Sequence, residues 1–150
     1  MPGAGTFLSE FLRRPDQVAS LVPSSGFLKR RLVRTADVAS ATTVVELGPG
    51  NGGTTRALLE AMPPASRLLA VELNPRLHAV LARIADERLI AHHGSATDLE
   101  ALLTANALPR PEVIVSGIPF SRLDRDQGRA IVTAIQRALA PGGRFVAYQL

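Results

Sequence analysis

A glycine-rich turn preceded by an acidic residue is the part of this sequence best suited to chemistry. Residues 43–53 read TVVELGPGNGG, an apolar run that ends in clustered glycines and is followed by a helical pattern. Such strand–turn–helix units bind nucleotide cofactors. The glycines at 48, 50 and 53 match the GxGxxG spacing of dinucleotide sites, whereas those at 48, 50 and 52 match a second spacing, ExGxGxG, that begins at Glu46. The spacing alone leaves both kinds of cofactor open.

The charge of Glu46 decides between the two kinds of cofactor. A dinucleotide places its pyrophosphate at the N-terminus of the helix, where a carboxylate two residues before the first glycine would repel it. The ExGxGxG pattern is that of S-adenosylmethionine sites, and this cofactor carries a sulfonium and an ammonium group, which a nearby carboxylate favours. We therefore expect S-adenosylmethionine, held by Glu46, Gly48, Pro49, Gly50 and Gly52.

A second acid, Glu72, ends the next apolar run, residues 67–72. A carboxylate at that point is suited to accept hydrogen bonds from both hydroxyls of an adenosine ribose. The alternative, that Glu46 and Glu72 are solvated acids, is disfavoured because both fall at the carboxyl edge of the predicted sheet, where ligands bind. His92 and His93 are adjacent in a predicted strand and point to opposite faces, so they cannot easily share one ion; we expect no metal site.

The periodicity of the chain predicts the elements that position these residues. From residue 43 onward, short β-branched runs alternate with helical patterns, which predicts a parallel sheet with helices on both faces. The predicted strands are 43–47, 67–72, 89–92, 112–116 and 144–149. The predicted helices of this part are 54–62, 75–84, 97–103 and 126–139, and an earlier helix begins near residue 25.

Composition restricts the class of protein. With 150 residues, of which 46% are hydrophobic and 20% charged, the chain predicts one folded core. It has no cysteine, which excludes disulfides, thiolate zinc ligands and cysteine nucleophiles. No apolar run approaches the roughly 20 residues of a membrane span, and the first residues do not show the pattern of a secretory signal. We expect a cytoplasmic protein.

The N-terminal region differs from the rest in charge. The first 34 residues hold six cations and two anions, so they account for the whole net charge of +4. The apolar residues of segment 7–12 share one face of a predicted helix. We divide the chain into a basic amphipathic segment, 1–40, and a cofactor-binding domain, 41–150. We favour an anionic membrane surface as the partner of the segment, with nucleic acid, water or packing against the domain as alternatives.

Several segments resemble a known family. VVELGPGNG at 44–52, AVELNP at 70–75 and VIVSGIPF at 113–120 resemble the class I Rossmann-like methyltransferases, and more narrowly the bacterial phospholipid N-methyltransferases, which methylate the amine of phosphatidylethanolamine. Near the N-terminus, FLRRP and VPSSGFL are similar to that family too. The rRNA adenine-N6 dimethylases share much of the pattern. The resemblance implies an α/β fold, with a doubly wound parallel sheet in the order 3-2-1-4-5 and N-terminal amphipathic helices, and an enzyme peripheral to the inner membrane face.

The resemblance also implies further site residues. Those expected at the cofactor are Phe27, Leu73, Ser95, Ala96 and Ser116. Those expected at the methyl acceptor are Ser116, Gly117, Ile118, Pro119 and Phe120. Ser95 stands where the wider superfamily often has an Asp, so its adenine contact should be weaker, and we expect Asp98 to cap a helix. Base-methylating relatives carry Asn or Asp at the position of Gly117; its absence here favours a lipid amine over a base.

Alternatives to a phospholipid acceptor remain. They are RNA adenine, a small-molecule amine, or a truncated cofactor-binding module with little activity. Class I methyltransferases usually have seven strands, whereas the strands predicted here end at the fifth, without the final antiparallel hairpin. This predicts an exposed edge strand that would allow a homo-oligomer, in a truncated or a natural minimal form. No general base is assigned: the backbone carbonyls of residues 116–118 are best placed, and Tyr148 is a weaker candidate.

Overall fold

The structure is a computed structural model that describes residues 26–148, with side chains from Lys29 onward. The amphipathic helix predicted at 7–12 lies outside the described residues, and so does the side chain of Phe27.

A parallel sheet of five strands forms the centre of the protein. The strands are β1 (Thr43–Leu47), β2 (Arg67–Glu72), β3 (Leu89–His93), β4 (Val113–Ser116) and β5 (Arg144–Ala147). They lie in the order β3-β2-β1-β4-β5, which confirms the predicted doubly wound topology. Because the order reverses between β1 and β4, the turns after these two strands flank the crevice in which ligands of such sheets bind.

Five α-helices accompany the sheet in the described part of the chain. They are α1 (Gly26–Ala36), α2 (Gly53–Ala61), α3 (Pro75–Leu81), α4 (Leu99–Ala105) and α5 (Arg125–Ala138). Helix α3 ends before the predicted residue 84 because the amides of Arg83 and Ile84 donate to carbonyls three residues earlier, which is a 3₁₀ pattern. The helix predicted at 97–103 instead begins as a separate 3₁₀ turn, Ala96–Asp98, before α4.

The strands bury side chains on both faces of the sheet. Val45 and Leu47 belong to the core cluster that includes residues of α4 and α5, whereas Val44 belongs to the cluster that includes residues of α1 and α2. Successive residues of a strand point to opposite faces, so Glu46 lies on the same face as Val44. The acid of the glycine turn therefore lies under α1 and α2.

Candidate cofactor and acceptor site

The turns at the carboxyl edge are held together because each is hydrogen-bonded to the neighbouring strand. The Gly48 amide donates to the Val71 carbonyl at 3.0 Å, which ties the glycine turn to β2. The Gly117 amide donates to the Leu47 carbonyl at 2.8 Å, which ties the turn after β4 to β1. The predicted cofactor turn and the predicted acceptor turn are thus neighbours on one rigid edge.

The glycine turn leaves open room beside its backbone. Gly48 and Gly50 have φ angles of +65° and +61°, a left-handed conformation that suits glycine. A Cβ at Gly48 would lie 3.0 Å from the Ile118 Cγ1, so this position is also closely packed against the turn after β4. A Cβ at Gly50 would meet no atom within 4 Å. The glycine turn therefore packs closely against the turn after β4 at Gly48 and leaves open space beside Gly50.

Glu46 is fully buried near the end of β1. The hydroxyl of Thr55, in the first turn of α2, donates a hydrogen bond to its Oε1. The Tyr148 hydroxyl lies 3.5 Å from its Oε2. Burial raises the pKa of Glu46 to about 7; the hydrogen bonds from Thr55 and Tyr148 oppose the rise, and the charge of Glu72 adds to it. A cation bound beside this carboxyl would favour its ionised form.

Glu72 holds the glycine turn as well as ending β2. Its Oε1 accepts a hydrogen bond from the Gly50 amide at 3.1 Å, and its Oε2 accepts one from the Asn74 amide at 2.9 Å. The side chain is buried, with 7% of its surface exposed. Each carboxylate oxygen has a second lone pair, so both can still accept from a ribose hydroxyl.

The residues expected at the adenine lie in the two turns beyond β2 and β3. The Leu73 side chain is 68% exposed, which is unusual for a large apolar residue and leaves a face free to pack against a ring. The Gly94 amide donates to the Glu72 carbonyl at 3.0 Å, and this bond keeps Ser95 beside the end of β2. The Ser95 hydroxyl accepts from the Thr97 amide at 3.2 Å.

Two details of this turn differ from expectation. Asp98 occupies the N-cap position of α4, but its side chain makes no capping hydrogen bond there. The Ser95 side chain caps the preceding 3₁₀ turn instead. Ala96 is buried in the core beneath, so only its backbone is available to a ligand. A contact from Ser95 to adenine would share the hydroxyl with this cap.

The turn after β4 combines buried and accessible residues. Ser116 is fully buried, and its hydroxyl accepts from the Ile118 amide at 3.2 Å. Gly117 and Ile118 are half-buried, and Pro119 is exposed. The Phe120 ring belongs to the core cluster beneath α5 and is 5% exposed. The accessible part of the predicted acceptor site is therefore Gly117 to Pro119, whereas a role for Phe120 at the acceptor stays a prediction.

The methyltransferase-domain family matches residues 44–143, which run from β1 to the turn before β5. This chain belongs to the class I S-adenosylmethionine-dependent methyltransferases. The methyltransferase is 30% identical over 145 residues to an ornithine lipid N-methyltransferase of Singulisphaera acidiphila, a match that covers 93% of this chain and 73% of that protein. It is 40% identical over 95 residues to ribosomal RNA small subunit methyltransferase A of Caulobacter vibrioides, a match that covers 61% of this chain and only 34% of that protein.

Solved structures show the same fold. The O-methyltransferase TomG of Streptomyces achromogenes, determined in complex with S-adenosylmethionine, matches with a TM-score of 0.68 and 19% identity over 98% of this chain and 66% of that chain. An O-methyltransferase of Bacillus cereus, determined in complex with SAH, matches with a TM-score of 0.67. The methyltransferase thus spans about two thirds of TomG.

The cofactor is S-adenosylmethionine, and the donor set of this site fits it. Glu46 and Glu72 supply carboxylates for cationic and hydroxyl groups beside the open room at Gly50, whereas the basic groups nearest the turn, those of Lys29 and Arg56, lie at its far end beside Gly53 and Gly52. Glu72 and Leu73 would hold the adenosine, and Glu46 with the turn from Gly48 would hold the charged end. When bound, the cofactor supplies a methyl group activated by a sulfonium.

Sequence reasoning missed part of the methyltransferase site. Thr55, which supplies the Glu46 hydrogen bond, was not predicted, although a hydroxyl in the first helical turn after the glycines is a usable signal. Tyr148 was considered only as a weak base. Burial and the charge of Glu46 raise its pKa above the ordinary value for tyrosine, so it stays protonated and is a donor rather than a base.

Two of the three histidines, His78 and His93, make contacts with backbone carbonyls in this methyltransferase. The His78 Nε2 lies 3.2 Å from the Ala91 carbonyl oxygen, and the His93 Nε2 lies 3.0 Å from that of Leu73. Across residues 26–148, no three histidine, aspartate or glutamate side chains cluster as metal ligands would. Over the same residues, no helix has the length and apolar character needed to cross a membrane.

Proposed function

We propose that this methyltransferase N-methylates the primary amine of a phosphatidylethanolamine-type membrane lipid at the membrane surface. The observation that carries the proposal is the extent of the match to the ornithine lipid N-methyltransferase, whose name gives a lipid amine as acceptor and which aligns with 93% of this chain. The match to the ribosomal RNA methyltransferase covers 61%. The likeness to a lipid-modifying relative therefore extends further beyond the shared cofactor-binding domain.

The accessible turn after β4 supports an amine acceptor. An amine attacks through its lone pair, so it must be neutral, and a hydrogen-bond acceptor near the nitrogen helps it shed or direct its protons. The carbonyls of Ser116 and Ile118 already accept from the amides of Tyr148 and Phe120, at 2.8 and 2.9 Å. Within residues 26–148, the Gly117 carbonyl accepts no backbone hydrogen bond. We assign that carbonyl, among the three expected candidates, as the acceptor for an amine proton.

A basic groove between α1 and α2 supports binding at an anionic surface. The groove has a volume of about 730 Å³. Its cations are Lys29, Arg30, Arg34 and Arg56, and its one acid is Glu60. Apolar side chains of Val33, Ala57 and Ala61 also line it. Apolar surface framed by cations matches an anionic lipid headgroup with the start of its chains.

The first test identifies the acceptor. The wild-type protein is incubated with methyl-labelled cofactor and, separately, phosphatidylethanolamine vesicles, ornithine lipid vesicles, ribosomal RNA and a soluble alkyl amine. We expect the label in phosphatidylethanolamine, because a membrane lipid satisfies both the amine site and the basic groove. Excess S-adenosylhomocysteine is the control and should abolish the signal. Labelling of RNA with no label in either lipid would overturn the proposal, and labelling of ornithine lipid alone would correct the headgroup.

The second test measures the contribution of the basic groove to membrane binding. The double variant Arg30→Glu and Arg34→Glu should reduce sedimentation with phosphatidylglycerol-containing vesicles at least about tenfold, because each basic residue near such a surface contributes about 1 kcal/mol. The matched control is Arg129→Glu with Arg137→Glu on α5, which makes the same change in net charge. Equal losses for the two pairs would mean that net charge alone, and not the groove, governs binding.

A further inference from the structure

Gly117 cannot carry a side chain in this fold. A Cβ built there would lie 2.6 Å from the Tyr148 hydroxyl oxygen, 2.7 Å from its Cζ and 2.8 Å from the Gly48 carbonyl oxygen. Contacts below 3.0 Å are essentially absent around real Cβ atoms. Residue 117 therefore supplies no side-chain polar group to the accessible turn after β4, and the atom nearest to the position of its Cβ is the Tyr148 hydroxyl oxygen.

The sheet register brings Tyr148 to this point. Ser116 pairs with Ala147 in the parallel register of β4 and β5, and the Tyr148 amide then donates to the Ser116 carbonyl at 2.8 Å. The side chain is 6% exposed and packs in the cluster formed with α1 and α2. Its hydroxyl lies between the buried Glu46, whose Oε2 is 3.5 Å away, and the position of Gly117.

The Tyr148 hydroxyl can donate one hydrogen bond and accept another at the same time. A tyrosine hydroxyl has one proton to donate and lone pairs with which to accept. Since Glu46 is an acceptor, it directs the proton of Tyr148 toward itself. A side-chain hydrogen bond from Thr54 occupies one lone pair of the oxygen, and the other is left for a donor that approaches along the turn at Gly117.

We propose that Tyr148 is the acceptor-binding residue of this methyltransferase and that its hydroxyl oxygen accepts a hydrogen bond from an N–H of the incoming alkyl amine. The inference rests on the proposed lipid-amine function and names the residue that selects the amine. The Gly117 carbonyl accepts no backbone hydrogen bond from residues 26–148. Together with it, the hydroxyl would hold the two N–H groups of a primary amine, so that the nitrogen lone pair keeps one orientation. A tertiary amine has no N–H, so the hydroxyl gives a third methylation no help.

The test compares Tyr148→Phe with the wild type on phosphatidylethanolamine and on its dimethylated form. Phenylalanine keeps the ring that fills the core and removes only the hydroxyl. We expect kcat on the primary amine to fall about tenfold, the size of a lost hydrogen bond, with KM for the lipid and affinity for S-adenosylhomocysteine changed less than about twofold. The rate on the dimethylated lipid should match the wild-type rate.

The control variant is Val146→Ala, a buried residue of the same strand and the same core cluster. It should lower the melting temperature while leaving the ratio of rates on the two lipids unchanged. The inference fails if Tyr148→Phe keeps the wild-type kcat on the primary amine, or loses rate equally on both lipids, or loses cofactor affinity in step with rate. A wild type that labels no lipid amine defeats the proposed function itself, whereas a lipid-active wild type matched by Tyr148→Phe defeats only the assignment of Tyr148.

Discussion

Replacing Glu72 with alanine should weaken binding of S-adenosylhomocysteine at least about 30-fold. The carboxylate accepts from the amides of Gly50 and Asn74, and we expect it also to accept from the ribose hydroxyls of the cofactor. Hydrogen bonds to a charged group contribute about 1.5–3 kcal/mol each, so losing the ribose contacts and the support of the turn together exceeds 2 kcal/mol. The change also leaves two amides without their carboxylate partner, so the melting temperature of the free protein should fall. Titration calorimetry and thermal melting measure the two effects.

A conservative variant and a surface control separate the loss of cofactor contacts from the loss of stability in the glycine turn. Glu72→Gln keeps one oxygen that can accept from Gly50 or Asn74, so it should recover part of the stability but little of the affinity. Glu87→Ala removes an exposed acid and should change neither quantity. Retained affinity in Glu72→Ala, with only the melting temperature lowered, would restrict Glu72 to a structural role.

Binding of S-adenosylmethionine should release a proton at pH values below about 7. The pKa of Glu46 in the free protein is about 7, and the positive charges of the cofactor would lower it. Affinity should therefore increase from pH 5.5 to about 7 and level off above that. Calorimetry in two buffers of different ionisation enthalpy measures the proton directly. Glu46 faces Thr55, Tyr148 and Glu72; the pKa of Tyr148 is raised above its ordinary value by burial, so Tyr148 stays protonated over this range.

The raised pKa of Glu46 also makes the stability of the free protein depend on pH. Stability should decrease as pH rises, whereas the affinity for the cofactor should increase. Because the pKa of Glu46 is higher in the folded state than its ordinary value of 4.5, the folded state binds the proton more tightly. The contribution of Glu46 to the free energy of unfolding is therefore greatest below pH 4.5 and decreases by about 3 kcal/mol as pH rises past 7. Glu46→Gln should raise the melting temperature of the free protein at pH 8 and remove the pH dependence of cofactor binding. A pH-independent affinity in the wild type would contradict this account.

The fold and the cofactor edge were largely predictable from the sequence because their signals are local. The strand from residue 43 to 47, the glycines at 48, 50 and 52, and Glu72 at the end of β2 lie within short segments whose pattern specifies both conformation and chemistry. Their positions relative to one another follow from the rule that parallel strands end at the same edge. Errors at the ends of α3 and α4 arise where 3₁₀ turns replace regular helix, which periodicity does not distinguish.

The proposed acceptor side of the site was less predictable because it depends on long-range contacts. Tyr148 is 102 residues from Glu46 in sequence, and the hydroxyl contact between them exists only once β5 pairs with β4. Gly117 gives no sequence sign that a side chain would collide with Tyr148. The contact of Glu72 with the Gly50 amide likewise needs coordinates, since the sequence predicts the ribose role of this acid but not its bond to the glycine turn.

The crowding at Gly117 bears on how this enzyme lineage can change its acceptor during evolution. An asparagine at this position would collide with the Tyr148 ring, and removal of the ring would still leave the Gly48 carbonyl oxygen 2.8 Å from the new Cβ. That oxygen belongs to the glycine turn itself. A side chain at residue 117 therefore cannot be accommodated unless β4 moves away from the glycine turn at the same time. Any change at residue 117 in this lineage therefore depends on coordinated changes in the glycine turn and at Tyr148.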